Sequence, residues 1–554
     1  MNKLWYGDNL TIMQGMGKHS VDLIYLDPPF NSKQNYNLLY KTMTGKPVPE
    51  QVEAFCDTWE MDAQKEAIAR TMPVLMREHG VDDYYVDFWR LWMQALRKTQ
   101  PHLLAYLIFM VQRLLHMKSL LRPTGSIYLH CDPTASHYIK VMMDGIFGHQ
   151  NFQNEIVWKR TSSHNRAKRW GPVHDTLLFY SAGPKFTWNR VLQGLDEEYT
   201  EAFYKHEDHR GRYRISDITG PGVRKGDSGE PWRDLNPTDK GRHWEPAPDR
   251  ALPDWFMYPD GYSELSVRDR LDILDAQGLI YWPKKLGGMP GFKRYIGEHS
   301  GAPLQDIITD IGPIPASSKD RMGYPTQKPV ELLDRIILAS TNKGDVVFDP
   351  FCGCGTTIYS AVKNERQWIG CDIAILSIKL IREHLTERYR LVEGHDFVVD
   401  GIPTSVEGAQ ELFRKDPSTF QNWFVERVGG FPMQKKSADR GIDGRIYFET
   451  RGGLKEMMLQ VKGGKTVRPT DVRDLRGVLE REPTAELAGF LSMAPPSKAM
   501  LSEASEAGTY EYNGTEYPRI QFLTVTEVLE GKRDFHMPTK VNTKLTTGQQ
   551  AFAL

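Results

Sequence analysis

The stretch VVFDPFCGCGTTIYSA, residues 346–361, decides the fold. Val346–Asp349 reads as a short buried strand, Gly353 and Gly355 as a tight loop, and Thr356 onward as a helix. Glycines let the backbone turn sharply and approach a ligand, and the helix N-terminus adds unpaired N–H groups. A GxxxxGK[ST] phosphate loop is excluded, because Thr356 and not lysine follows Gly355. The dinucleotide fingerprint is incomplete. The next strand, QWIGCDI, ends at Cys371-Asp372, where an acid can accept hydrogen bonds from ribose hydroxyls. These features suit an adenosine-containing ligand without a pyrophosphate.

Working outward, strands alternate with helices on both sides of this loop. YPTQKPVELLDRIILAS reads as a proline-capped helix before it, and a long helix runs after it to about residue 392. Residues 1–48 read as two strands around a short helix, and 50–121 as mostly helical. Pro123-Thr124-Gly125 reads as a turn. SIYLHCD, NEIVWKR and HDTLLFYSAG read as further strands, with a helix over ASHYIKVMMDGIFG. This alternation predicts an α/β fold, a Rossmann-like doubly wound sheet. Residues 184–320 are rich in Gly, Pro, Trp and charge with weak periodicity, which predicts an ordered, loop-rich insert. A new α/β unit begins after about residue 400, with a helix near 407–429, and an irregular tail starts near 535.

The second strand, VDLIYL, runs into Asp27-Pro28-Pro29-Phe30. Two successive prolines between an acid and a ring make a rigid backbone held open for a ligand. Net charge is −1, yet residues 159–170, KRTSSHNRAKRW, hold five Lys or Arg and no acid. Tryptophan and tyrosine interleaved with arginine further on favour phosphate and base contacts.

Together these motifs resemble a known family. FDPFCGCGTT resembles the S-adenosylmethionine loop of the amino DNA methyltransferases, DPPF their catalytic motif, and YPTQKP the segment before the cofactor loop. Their order resembles the β-type arrangement, over roughly residues 1–395. The resemblance implies that Asp349, Phe351, Gly353, Gly355 and Thr356 surround the methionine part of the cofactor. Asp372 would hold the ribose, Asp8 would lie near the adenine, and Thr326, Gln327 and Lys328 would close the pocket. Asp27 and the Pro28 carbonyl would accept the hydrogens of an exocyclic amine as positive charge builds on it, Pro29 would stiffen the loop, and Phe30 would stack on a flipped base. Transfer would be direct, without a covalent intermediate. Asp27, where cytosine-N4 members more often carry Ser, favours adenine N6. Arg160, Arg166, Lys168 and Arg169 fall where the family places its target-recognition region, so the expected substrate is double-stranded DNA.

In the C-terminal unit, RGIDGRIYF and MMLQVKGG read as a hairpin that places Asp443 beside the strand of Gln460 and Lys462. An acid, an oxygen ligand and a lysine on one face can hold Mg²⁺ and orient water, with Glu426 of the preceding helix as a further carboxylate. The segment resembles the Mrr-like branch of the PD-(D/E)xK restriction endonucleases, with Gln460 in place of the second acid. That implies Asp443 and Gln460 as metal ligands. The pairing suggests restriction–modification or phage defence. A cytosine-N4 enzyme, a C-terminal domain that binds DNA without cutting, and an RNA or protein substrate stay open, as do a homodimer and defence-system partner subunits.

With 554 residues the chain exceeds one ordinary core. The sequence divides into 1–183 and 321–395 for the catalytic and cofactor halves, 184–320 for recognition, 405–535 for the endonuclease-like unit and 536–554 for the tail. Five scattered cysteines give neither a disulfide framework nor a zinc spacing, which fits a reducing cytoplasm. No membrane span and no signal peptide are expected.

Overall fold

The computed structural model describes the chain except at residues 1, 30–34, 39, 42–51, 57–58, 162–167, 169, 195–196, 286, 297–300, 316–317, 319–320, 323–326, 434–440, 452, 465–466, 541–543 and 546–554. Its centre is a nine-stranded mixed sheet. The strands, in chain order, are β1 (Asn2–Tyr6), β2 (Val21–Leu26), β3 (Leu121–Cys131), β4 (Phe152–Lys159), β5 (His174–Ser181), β6 (Ile307–Ile308), β7 (Val346–Asp349), β8 (Gln367–Asp372) and β9 (Phe397–Asp400). Across the sheet they run β6-β4-β5-β3-β2-β7-β8-β1-β9. β3, β2, β7, β8, β1 and β9 are mutually parallel, and β5 is antiparallel to both β3 and β4. All six residues of β2 are buried, as a central parallel strand requires.

Helices α1 (Ala63–Glu78), α2 (Asp83–Thr99) and α3 (Pro101–Leu120) cover one face. A short strand, Val52–Cys56, precedes them, so the 50–121 stretch is not helical throughout. By length and composition α3 is apolar enough to cross a membrane, contrary to the expectation that no stretch would be, but 72% of its most apolar 18-residue window is buried inside the protein. It is a core helix, packed through Leu104, Leu107, Val111 and Leu115. The expected turn at Pro123–Gly125 is absorbed into β3. Pairing jumps from Val21↔Leu121 to Leu23↔Ser126, so Arg122, Pro123 and Thr124 bulge out to solvent while Gly125 stays buried.

Residues Arg190–Gln305 form a separate compact unit. Its four-stranded antiparallel sheet is built from His206–Asp208, Gly211–Asp217, Gly291–Tyr295 and Ile280–Tyr281. Trp232 and Trp244 are buried in its core with Leu271 and Phe292, which explains order in so loop-rich a stretch.

The C-terminal residues pack as part of the same compact unit as the large sheet. Here β10 (Phe431–Pro432), β11 (Gly444–Thr450), β12 (Gly453–Lys462), β13 (Ala485–Ser492) and β14 (Ile520–Thr524) form a sheet in that order. β11 and β12 make an antiparallel hairpin, and β12, β13 and β14 are parallel. The single helix expected near 407–429 is two, Val406–Lys415 and Pro417–Arg427, because Asp416 ends the first and caps the second through Ser418 N and Thr419 N. Phe420, Trp423 and Phe424 of the second helix share one apolar core with Leu4, Tyr6, Ile378 and Phe397 of the large sheet and its helices.

Candidate active site and a second acidic site

β2, β7 and β8 bring Asp27, Asp349 and Asp372 to the carboxyl edge of adjacent parallel strands, where such sheets bind ligands. Asp349 Oδ1 accepts the Phe351 amide at 3.0 Å and so starts the loop. Gly353 and Gly355 have φ of 49° and 89°, and a Cβ on Gly355 would lie 2.7 Å from Ile381. The loop then enters α4 (Thr356–Lys363). Asp372 is held from both sides, by Gly353 N at 2.9 Å and Ala374 N at 2.8 Å, just before α5 (Ile375–Glu387).

Burial dominates the electrostatics of this edge. It pushes the Asp349 carboxyl up to about 7, with the charges of Asp27 and Asp372 adding to it against hydrogen bonds from Thr357 and Phe351. It pushes Asp372 up to about 6, against hydrogen bonds from Ala374 and Gly353.

Asp27 follows β2. Its Oδ2 is ion-paired with Lys328 Nζ, and its Oδ1 is buried with no hydrogen-bond partner. Pro28, the next residue, is buried. An acceptor left open at the end of a rigid strand, with its twin oxygen anchored, fits a ligand that donates hydrogen. Gln327 accepts the Met322 amide at 2.8 Å, while Thr326 and Phe30 lie outside the described residues. Lys328 thus meets the acid at the end of β2.

Asp8 is engaged by its own chain. Its Oδ1 accepts Leu10 N at 2.6 Å as a helix cap, and its Oδ2 pairs with buried Arg113 at 2.7 Å. Arg113 also donates to Asn9, and Asn9 donates to the Pro350 carbonyl at 2.7 Å. This run of contacts ties α3 to the glycine loop.

Arg160, expected on DNA, pairs with buried Asp175 at 3.0 Å and keeps 45% of its side chain exposed. Asp175 also meets His130 Nε2 at 3.1 Å, and His130 Nδ1 meets the Tyr25 hydroxyl at 2.9 Å. Lys168 is exposed, while Arg166 and Arg169 lie outside the described residues.

In the C-terminal sheet Asp443 and Gln460 come together. Gly444 pairs with Leu459, so the residues flanking that pair are adjacent across the hairpin. Asp443 Oδ2 accepts Val461 N at 2.7 Å, and Oδ1 accepts the side-chain amide of Gln421. Gln460 Oε1 is buried without a partner. Lys462 Nζ lies 3.4 Å from Asp471. Glu426 does not join this group, contrary to expectation. Its Oε2 accepts Ile375 N at 3.2 Å, on the large sheet's side. The helix turns Gln421 and not Glu426 toward Asp443. Among the described residues no three His, Cys, Asp or Glu side chains are grouped to hold a metal ion.

The family model described as DNA methylase, N6_N4_Mtase, matches residues 21–383. The chain belongs to this methylase family. Its similarity to the type II methyltransferase M.EcaI of Enterobacter cloacae is 33% identity over 309 residues, covering 56% of this chain and 62% of that protein. The Mod subunit of the type III restriction-modification enzyme StyLTI of Salmonella typhimurium is 26% identical over 386 residues, covering 66% of this chain and 51% of that protein. The chain therefore spans only part of these relatives. Among solved structures, the cytosine-N4-specific PvuII DNA methyltransferase aligns at a TM-score of 0.31 with 11% identity, over 70% of this chain and 88% of that one.

The methylase match covers Asp27, Lys328, the glycine loop and Asp372, and it ends before Glu426 and Asp443. Sequence reasoning missed Arg113 beside the glycine loop and Gln421 beside Asp443. The signal for Arg113 was present, a single arginine inside the apolar run of α3. Nothing distinguished Gln421 from other polar residues of its helix.

Proposed function

We propose that this chain is a DNA methyltransferase that uses S-adenosylmethionine to methylate the N6 amine of a flipped adenine. The observation that carries the reading is the open, buried Asp27 Oδ1 beside the glycine loop, its partner oxygen anchored by Lys328. S-adenosylmethionine, when bound, would supply an electrophilic methyl group, its sulfur keeping the electrons of the broken S–C bond and leaving as a neutral thioether. Asp349, Gly353, Gly355 and Thr356 would hold its methionine part and Asp372 its ribose. The small-residue loop and two buried acceptors fit that molecule.

An exocyclic amine is a poor nucleophile because its lone pair is delocalised into the ring. As it attacks, positive charge builds on nitrogen. Asp27 Oδ1 and the Pro28 carbonyl accept its two hydrogens and stabilise that charge, and their positions are set before the base arrives. Lys328 keeps the carboxylate from rotating away. The product ammonium then loses a proton through Asp27. Proximity of amine and methyl lowers the barrier further. Adenine is favoured over cytosine by the acid that opens the DPPF motif.

For the C-terminal unit we infer a Mg²⁺-dependent endonuclease-like domain, in a restriction–modification or defence setting. Asp443 and the open Gln460 Oε1 would hold the cation with water filling the remaining positions, which suits a hard, oxygen-seeking ion. Lys462 would face the phosphodiester. The Gln421 amide on Asp443 and the absence of a three-acid group among the described residues favour a second reading, a domain that binds DNA without cutting it.

The test incubates the purified chain with unmodified plasmid DNA, with S-adenosylmethionine or with Mg²⁺, and maps modified bases and breaks. N6-methyladenine lost in Asp27→Ala, with breaks lost in Lys462→Ala, is the expected result. N4-methylcytosine would overturn the base assignment, methylation without breaks the nuclease, and unmethylated DNA the whole reading.

A further inference from the structure

Helix α5 begins with an uncapped N-terminus of its own. Its N-cap position is Ala374, which makes no side-chain capping bond. The first amides of a helix need acceptors, and alanine offers none. The missing acceptor comes from 51 positions further along the chain. Glu426, on α6 (Pro417–Arg427), accepts Ile375 N at 3.2 Å. One residue earlier in the turn, Ala374 N is already given to Asp372 Oδ1 at 2.8 Å. Two carboxyl groups therefore clasp successive amides of the same turn, one from the strand edge and one from the C-terminal unit.

The setting is apolar and rigid. Trp423 and Phe424 of α6 are fully buried, and Tyr6 of β1 reaches the Thr419 carbonyl. The charged group facing Glu426 is Asp372, and the neutral Tyr6 hydroxyl feels Glu426, Asp416 and Asp372. Burial, then Asp372, pushes the Glu426 carboxyl up to about 8, against the Ile375 hydrogen bond. A proton on it near neutral pH leaves its carbonyl oxygen to accept Ile375 N without placing a second charge beside Asp372.

We propose that Glu426 is a positioning residue for the cofactor. It fixes the turn after Asp372 so that this acid is aimed at the ribose. The C-terminal unit thereby completes a pocket whose other residues all belong to the methylase half. The proposal rests on the reading of Asp372 as the ribose acceptor.

The test measures S-adenosylmethionine binding calorimetrically on the full chain, with hydrogen exchange of the peptide spanning 372–378. Glu426→Ala is expected to raise Kd and KM for S-adenosylmethionine about five- to tenfold, on the scale of a lost helix cap, with kcat unchanged and faster exchange. Glu426→Gln, which keeps an acceptor oxygen, is expected to restore both, and it reads the proposal if the alanine variant folds poorly. Asp372→Asn is the reference. Weak binding in Asp372→Asn with normal binding in Glu426→Ala overturns the proposal. Normal binding in Asp372→Asn overturns the ribose assignment, and the proposal with it. Equal loss in the Ala and Gln variants overturns the capping role.

Discussion

Lys328 and Asp27 lie 301 positions apart in the chain and form a nearly buried ion pair that leaves the second oxygen of the acid open. The pair links the segment before the glycine loop to the end of β2. Breaking it from one side leaves a charge without its partner. Lys328→Met should therefore lower stability by about 3–5 kcal/mol, whereas Lys328→Met with Asp27→Asn should recover much of it. Both variants should lose methylation by roughly 10²-fold or more, judged from the value of preorganised polar groups. Chemical denaturation beside a methyl-transfer assay separates the two effects.

Arg113 joins Asp8 and Asn9 to the glycine loop from inside an apolar helix. Burial, opposed by Asp8, lowers its guanidinium to about 10. Arg113→Met should raise Kd for S-adenosylmethionine and cost on the order of 3 kcal/mol, because Asp8 is left without its cation. Arg113→Lys should rescue only part of the effect, since one ammonium cannot serve Asp8 and Asn9 in a fixed fork. Cofactor titration of the three proteins checks this.

Asp349 and Asp372 carry carboxyls raised to about 7 and about 6. An unfolded chain has released these protons by about pH 4. The folded chain binds more protons between those limits, so their contribution to stability is full below about pH 4 and is lost as pH rises through 6 and 7. Asp349→Asn should raise the melting temperature at pH 8 and leave it nearly unchanged at pH 4. Cofactor binding should move the other way, because ribose hydroxyls donate to an ionised Asp372. Affinity should climb from pH 5 to pH 7, by up to about tenfold per unit below the Asp372 value, and Asp372→Asn should flatten that limb.

In the C-terminal sheet the unpartnered Gln460 oxygen stands next to Asp443. Gln460→Glu places two carboxylates side by side. In chelator the like charges should lower the melting temperature, and with Mg²⁺ the second acid should raise it above the wild-type response. A melting temperature blind to Mg²⁺ in both proteins would count against a metal site there.

Much of the methylase half was legible because each buried strand ended in a residue with chemistry, Asp27 after β2, Asp349 at the end of β7 and Asp372 at the end of β8. Period and composition place those residues on one edge without knowledge of any contact. What stayed hidden depends on rotation and on distance. Gln421 and Glu426 share a helix, but at about 100° per residue five positions turn them to different sides. Sequence gave no means to tell which side met Asp443. The pairing of Arg160 with Asp175 was hidden for a similar reason, since a basic stretch reads as solvent-facing until a buried acid is found beneath it. The Pro123–Gly125 turn vanished into a bulge because β3 kept pairing on either side of it.

The shared core beneath α6 has a bearing on how such a chain could be assembled or taken apart. A cut near residue 400 would strip Phe420, Trp423 and Phe424 from Tyr6 and Ile378 and leave an oily scar on the methylase. The two halves should therefore melt in one transition, and neither could be exchanged between genes like a bead on a string. A lineage that lost the C-terminal unit would first have to rebuild the wall it left behind.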